Sequence, residues 1–251
     1  MKEKIVKVIH DLESEADIRI LHACETGSRA WGFASPDSDY DIRLIYTHPK
    51  NWYLGLKEKK DFIDRFLPGD LDLVGWDLRK ALRLFYDCNL SLNERLGSPE
   101  VYYSVDGFDR QVTAMVARFF NPRKAMHHYL SMAKKVYAQN NDKGRIGIKK
   151  LFYVVRPLFC CSWIERNNSM PPTVFQDLLD EGLAPNDLIE AICAIRKQKE
   201  TAMEGHVTEI PQILQQWIGS EITRFEKSSE SLSGSQKKSW QDLDQLFLDW
   251  L

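Results

Sequence analysis

The chain opens with apolar positions at Ile5, Val8, Ile9 and Leu12 over residues Met1 to Glu13. That i, i+3, i+4, i+7 spacing predicts an amphipathic helix. Ile18 to Cys24 reads as a strand, and Gly27-Ser28 breaks it. Ser28 to Gly32 reads as a short turn of helix, and Ser35-Pro36-Asp37-Ser38 is loop chemistry. Asp39 to Tyr46 alternates and is rich in β-formers, so a second strand is expected there. Asp61 to Leu67 and Asp70 to Gly75 flank Pro68-Gly69, which predicts an antiparallel pair about a tight turn. Asp77 stands where it can cap a helix running to about Cys88, with Leu78, Ala81, Leu82 and Phe85 on one face.

From about residue 100 the period is almost entirely helical. Helices are expected over Phe108 to Phe120, Pro122 to Gln139, Ile146 to Arg166, Pro172 to Asp180, Pro185 to Glu204 and Pro211 to Lys227. Several begin at a proline, where the missing N–H costs nothing, while Pro157 inside one of them should kink it. Ser228 to Ser239 reads as a flexible linker, and Trp240 to Leu251 as a last helix. The expected fold class is therefore α+β: a small antiparallel or mixed sheet with flanking helices over residues 1–103, then an all-helical domain over 104–251.

Composition sharpens this only in part. The chain has 251 residues, 43% of them hydrophobic, which suffices for a sizeable core and excludes wholesale disorder. A net charge of −2 argues against a histone-like nucleic-acid binder, though a local basic patch stays open. Five cysteines without C-x-x-C spacing fit neither a disulfide scaffold nor a zinc knuckle. No signal peptide is visible, and the most apolar stretch, Leu151 to Ile164, is too short to span a bilayer and carries Arg156. A cytoplasmic protein with no membrane partner is the expectation.

The candidate chemistry lies in Gly27-Ser28-Arg29-Ala30-Trp31-Gly32 and Asp37-Ser38-Asp39-Tyr40-Asp41-Ile42. A glycine-serine turn that leaves a strand and opens a helix offers free N–H groups and a hydroxyl to a phosphate. Asp39 and Asp41, two apart in a strand, share a face. Two carboxylates beside a phosphate cradle suit magnesium, which keeps few protein oxygens and fills its shell with water and substrate phosphate. Two such ions can clamp an in-line phosphoryl displacement. A third carboxylate is expected on a neighbouring strand. Asp72, opposite in face to Leu71 and Leu73, is the first choice, and Asp70, which shares that face, is the fallback.

Gly27-Ser28, a ten-residue gap and then Asp39-Tyr40-Asp41-Ile42 resemble the signature of the DNA polymerase beta superfamily of nucleotidyltransferases. The longer strings Glu25 to Gly32, Asp41-Ile42-Arg43 and Val74 to Lys80 are similar to a branch associated with RNA repair pathways, and Lys149 to Pro157 extends the likeness into the helical half. The resemblance implies the minimal nucleotidyltransferase sheet, with Asp39, Asp41 and Asp72 catalytic and magnesium-binding. Gly27 and Ser28 would hold a nucleoside triphosphate, ATP among the candidates. It supplies no acceptor.

Further candidates lie nearby. Arg29 could contact a phosphate, and Arg43 could pair with Asp41 or a substrate; structural ion pairing is the equal alternative. Trp31 and Tyr40 could stack on a base, although packing accounts for them more readily. Lys149, Tyr153 and Arg156 share a helical face, and an arginine in so apolar a helix needs an acidic or phosphate partner. A triphosphate at the domain interface would serve, as would an acidic residue of the sheet domain. Lys134, Lys135, Lys143 and Arg145 form a basic stretch, read first as a solvated face and second as a polynucleotide contact. The expected activity is magnesium-dependent transfer of a nucleoside monophosphate to an acceptor hydroxyl, an RNA end being first choice. Adenylylation of a protein side chain and a non-catalytic nucleotide-binding module are the rivals.

Overall fold

The computed structural model describes residues 1–201, 203, 205–232, 234 and 238–251. In chain order the elements are α1 (Lys2–Ala16), β1 (Arg19–Glu25), α2 (Gly27–Ala30), β2 (Tyr40–Thr47), α3 (Lys50–Tyr53), β3 (Phe62–Leu67), β4 (Leu71–Asp77), α4 (Leu78–Tyr86), α5 (Leu90–Leu96), β5 (Val101–Ser104) and α6 (Phe108–Phe119). There follow α7 (Pro122–Asn140), β6 (Arg145–Gly147), α8 (Ile148–Asn167), α9 (Phe175–Asp180), α10 (Asn186–Thr201), β7 (Val207–Glu209), α11 (Gln212–Ser228) and α12 (Trp240–Trp250). The fold is α+β around a mixed sheet, as expected. Part of the expected linker over 228–239, and positions 202 and 204 of the expected helix over 185–204, lie outside the described residues.

Two compact units share the chain. The first comprises 1–30, 39–119 and 237–251; the second comprises 31–38 and 120–236. This division differs from a single boundary at residue 103. Phe108, Val112 and Phe119 of α6, and Leu243 and Leu246 of α12, complete the apolar layer over the sheet. Burial, rather than a composition shift, thus assigns both helices to the sheet unit.

The sheet of the first unit has the order β3-β4-β2-β1-β5. β2 and β4 run parallel, whereas β1/β2, β3/β4 and β1/β5 are antiparallel. On one face Ile42, Leu44, Tyr46, Leu71 and Leu73 meet Ile5, Ile9 and Leu12 of α1. On the other, Leu21 and Ile45 meet Leu78, Ala81, Leu82 and Phe85 of α4, with α5, α6 and α12. A bulge between Ile20 and His22 turns Leu21 to this second face while Ala23 serves the first. Asp77 caps α4 as expected, accepting from Arg79 N at 2.9 Å. Its other oxygen accepts from the Tyr53 hydroxyl at 2.6 Å.

In the second unit α7 starts at Pro122, capped by Asn121. The helix expected from Ile146 starts instead at Ile148, because Arg145 to Gly147 pair with Val207 to Glu209. α8 runs through Pro157, and most of its side chains are buried. The loop segment Trp31 to Ser38 belongs here: Phe33 packs on Phe152 at 4.9 Å between ring centroids, and Phe175 N donates to Trp31 O at 2.9 Å.

Candidate active site

Two strand ends of the first unit build the site. Glu25 closes β1, and Gly27 turns into α2 at φ +63°. That left-handed conformation suits glycine. A second constraint acts at the same residue: a Cβ on Gly27 would collide with Asp41 Oδ2. The Asp41 carboxylate is therefore set directly against the glycine-serine turn, with Ser28 buried beside it in sequence.

Asp41 is held by its backbone from both sides. Its N–H donates to Glu25 Oε1 at 2.7 Å, and its carbonyl accepts from Thr26 N at 2.9 Å and Thr26 Oγ1 at 3.2 Å. Glu25 is itself buried, and its second oxygen accepts from the Tyr102 hydroxyl. Burial raises the Glu25 carboxyl above the ordinary glutamate range, against the lowering effect of the bonds from Tyr102 and Asp41 N–H. Glu25 stands in the family-like string with no role of its own; its signal in the sequence is an acidic residue ending an apolar strand immediately before the turn.

The parallel ladder puts Asp72 directly opposite Asp41. β4 alternates strictly, with Leu71 and Leu73 buried on one face and Asp72 half-buried on the other. Asp70, the fallback, sits in the β3–β4 turn at φ +56° and is exposed. It is Asp70 O, not its carboxylate, that meets this region, accepting from Tyr40 N at 2.8 Å. Asp39 precedes β2 and is exposed. Arg29 donates through Nε to Asp39 O at 3.0 Å, and its guanidinium stacks on the Tyr40 ring at 3.8 Å. Tyr40 thus serves as a platform for Arg29.

Like charges facing across a ladder repel. Arg43 offsets this: its Nη2 donates to Asp41 Oδ1 at 2.7 Å and to Asp72 Oδ2 at 2.8 Å. Its Nη1 donates to Asp72 O at 2.9 Å and Ile42 O at 3.1 Å. Of the two roles open to Arg43 from sequence, ion pairing with Asp41 is present and extends to Asp72. Behind it lies Arg95 of α5, buried, stacked on Trp76 at 3.4 Å, with Nη1 lacking a hydrogen-bond partner. Burial, and then the charge of Arg43, press the Arg95 pKa downward.

The carboxylate oxygens of Asp39, Asp41 and Asp72 are the donor type a hard divalent cation takes. Among the described residues, however, no three His, Cys, Asp or Glu side chains gather in metal-binding geometry. The donor chemistry fits magnesium; a guanidinium now occupies one oxygen on each of two of the donors.

Lys149, Tyr153 and Arg156 lie on α8 in the second unit. Trp31 brings two of them together, its ring 5.0 Å from that of Tyr153 and 4.4 Å from the Arg156 guanidinium. Arg156 is buried and donates to Thr173 O at 3.1 Å and, through Nη2, to Pro172 O at 3.4 Å. Trp31 is packed rather than displayed. In the upstream basic stretch Lys134 pairs with Glu226 of α11. Cys24, Cys88, Cys160 and Cys161 are buried and reduced, and Cys193 is half-buried. Among the described residues no helix is long and apolar enough to cross a membrane.

Comparison with known proteins places this site in context. The chain matches the RNA repair pathway DNA polymerase beta family over residues 1–249. It is 34% identical over 249 residues to the uncharacterized protein YcgL of Bacillus subtilis (strain 168), covering 99% of this chain and 96% of that one. A crystal structure of a nucleotidyltransferase-like protein from Exiguobacterium sibiricum 255-15 aligns over 98% of this chain and 79% of that one. Its TM-score of 0.34 and 9% identity are too remote to carry an argument. Because the family match extends over both compact units, the whole chain, and not the sheet unit alone, belongs to the RNA repair pathway DNA polymerase beta family.

Proposed function

We propose that the protein is a nucleotidyltransferase that moves a nucleoside monophosphate from a nucleoside triphosphate, ATP or another, to an acceptor hydroxyl, an RNA end. The observation that carries this reading is the placement of Asp41: registered against Asp72 across the parallel ladder, with its carboxylate pressed on the Gly27 turn. A carboxylate set against a glycine-serine turn and registered opposite a second carboxylate supports a role in handling a phosphoanhydride.

In this reading the N–H groups and hydroxyl of the Gly27-Ser28 turn bind the triphosphate. Arg29, fixed over Tyr40, adds a positive charge beside the turn. Asp39, Asp41 and Asp72 would hold magnesium, two ions in the full complement. Bound there, magnesium would neutralise the charge that develops on the phosphoryl oxygens. Asp72 accepts the proton of the attacking hydroxyl, which adds to the α-phosphorus as the bond to the β-phosphate oxygen breaks. Pyrophosphate leaves. Glu25 and Thr26 fix the Asp41 backbone, so the chain's contribution is mainly positioning and electrostatics.

Nucleotide-dependent pyrophosphate release tests this. Asp41→Asn is expected to lower it by about 10³-fold or more while the circular dichroism spectrum is kept. Retained turnover in that variant removes the site assignment. Adenylylation of a protein would show as label in a protein acceptor instead of RNA, and a binding module as nucleotide affinity without turnover.

A further inference from the structure

Arg43 is wedged into the carboxylate pair by four hydrogen bonds, and its side chain is only 15% exposed. The two it makes to carboxylate oxygens are short and charge-assisted. They engage Asp41 Oδ1 and Asp72 Oδ2, oxygens of the same two groups that the proposed function assigns to a divalent cation. A cation shared by Asp41 and Asp72 would stand within a few ångströms of the guanidinium, and two positive centres that close repel strongly where water is scarce. The pair cannot serve both at full strength. A second guanidinium, that of Arg95, lies buried behind the first. The two like charges repel, which opposes any retreat of Arg43 toward Arg95.

Resting on that functional reading, we propose that Arg43 is a built-in counter-ion of the Asp41–Asp72 pair. A divalent cation binds by displacing it, and the displaced guanidinium turns to the phosphate oxygens of the incoming nucleotide. Arg43 is then a positioning residue. It keeps two opposed carboxylates in register while the site is empty, and it couples metal binding to triphosphate binding. Metal alone binds weakly, because it must break the ion pairs with nothing to take the released charge. Metal together with a triphosphate binds well, because the polyphosphate receives Arg43.

Manganese binding to the whole protein, followed by electron paramagnetic resonance with and without a non-hydrolysable triphosphate, tests this. Arg43→Gln is expected to bind manganese alone about tenfold or more tightly than wild type, a gain of about 1.4 kcal/mol. The enhancement of manganese binding by the triphosphate should shrink in the same variant. Arg43→Lys, which keeps the charge but loses the fork, should fall between; it also keeps the test open if Gln unfolds the site. In wild type, the Arg43 Nε–Hε resonance should shift as magnesium and triphosphate are added together. If Arg43→Gln and Arg43→Lys bind manganese no better than wild type while Asp41→Asn abolishes binding, the counter-ion role is overturned and the metal site stands. If Asp41→Asn binds manganese like wild type, the functional reading itself fails.

Discussion

Gly27 is where one residue has the most to lose. Its φ of +63° lies in the left-handed region, and the space a Cβ would need holds Asp41 Oδ2. Gly27→Ala should therefore cost about 1–3 kcal/mol in denaturant unfolding from backbone strain, and nucleotidyl transfer should fall further than stability does. A variant of unchanged stability and activity would show that the turn and Asp41 are not in contact. Spacing and residue type single out Gly27, Ser28, Asp39 and Asp41 as candidates, and the fold sets Gly27 against Asp41. Arg43 was visible as a neighbour, but its bridge to Asp72 required the fold. Glu25 was legible only as a residue type that sits oddly at the end of a buried strand. Arg95 carried no local signal, since nothing in Leu-Asn-Glu-Arg-Leu says which side chain α5 turns inward.

Among the elements, the join between β1 and β2 controls the site. Glu25 at the end of β1 accepts from Asp41 N–H, and Thr26 closes on Asp41 O from the other side. This join is pH-dependent with a defined sign. The Glu25 carboxyl is raised in the folded state, chiefly by burial. Below the ordinary glutamate value both folded and unfolded chains hold the proton, and the group contributes nothing to stability. As pH rises through that value the unfolded chain ionises first, so stability is lost, and the loss is complete once the folded carboxyl has ionised. Glu25→Gln keeps an acceptor for Asp41 N–H and removes the titration. Urea unfolding at a series of pH values should show Glu25→Gln gaining stability over wild type as pH increases from acid to neutral. A constant difference would contradict the assignment.

The same scale shows why some elements were read from sequence and others were not. The β3–β4 hairpin announces itself through Pro68-Gly69, and α4 through the Asp77 cap and its apolar face. Alternation also put Asp72 on the correct face of β4. That Asp72 stands opposite Asp41, rather than a residue away, depends on a parallel ladder between strands about thirty residues apart, and no local pattern encodes such register. β5, β6 and β7 were missed because three or four residues carry too little periodicity, and they exist through their partners. α5 is only seven residues long, too short to show a clear helical period.

For the whole molecule, chain order and spatial order diverge. α12, the last element, returns to the sheet unit, where Leu243 and Leu246 share a core with Leu82 and Phe85. The loop from Trp31 to Ser38, between the Gly27-Ser28 turn and Asp39, belongs to the second unit. The Gly27-Ser28 turn and Asp39 are therefore joined by a segment whose Phe33 packs on Phe152 and Phe175. That is consistent with a family match that runs through both units. The change from mixed to helical periodicity near residue 100 is real, but three segments cross it: residues 31–38, α6 and α12.

The fate of the α-phosphate decides whether the site performs nucleotidyl transfer. Wild-type protein, magnesium and each of the four α-labelled nucleoside triphosphates are to be incubated with RNA fragments bearing free hydroxyl ends and, separately, with a protein pool. The expected result is label joined covalently to RNA, one pyrophosphate released per nucleotide transferred, and neither product without magnesium or with Asp41→Asn. If the α-phosphate reaches no acceptor, or only the γ-phosphate is released, the site does not carry out nucleotidyl transfer.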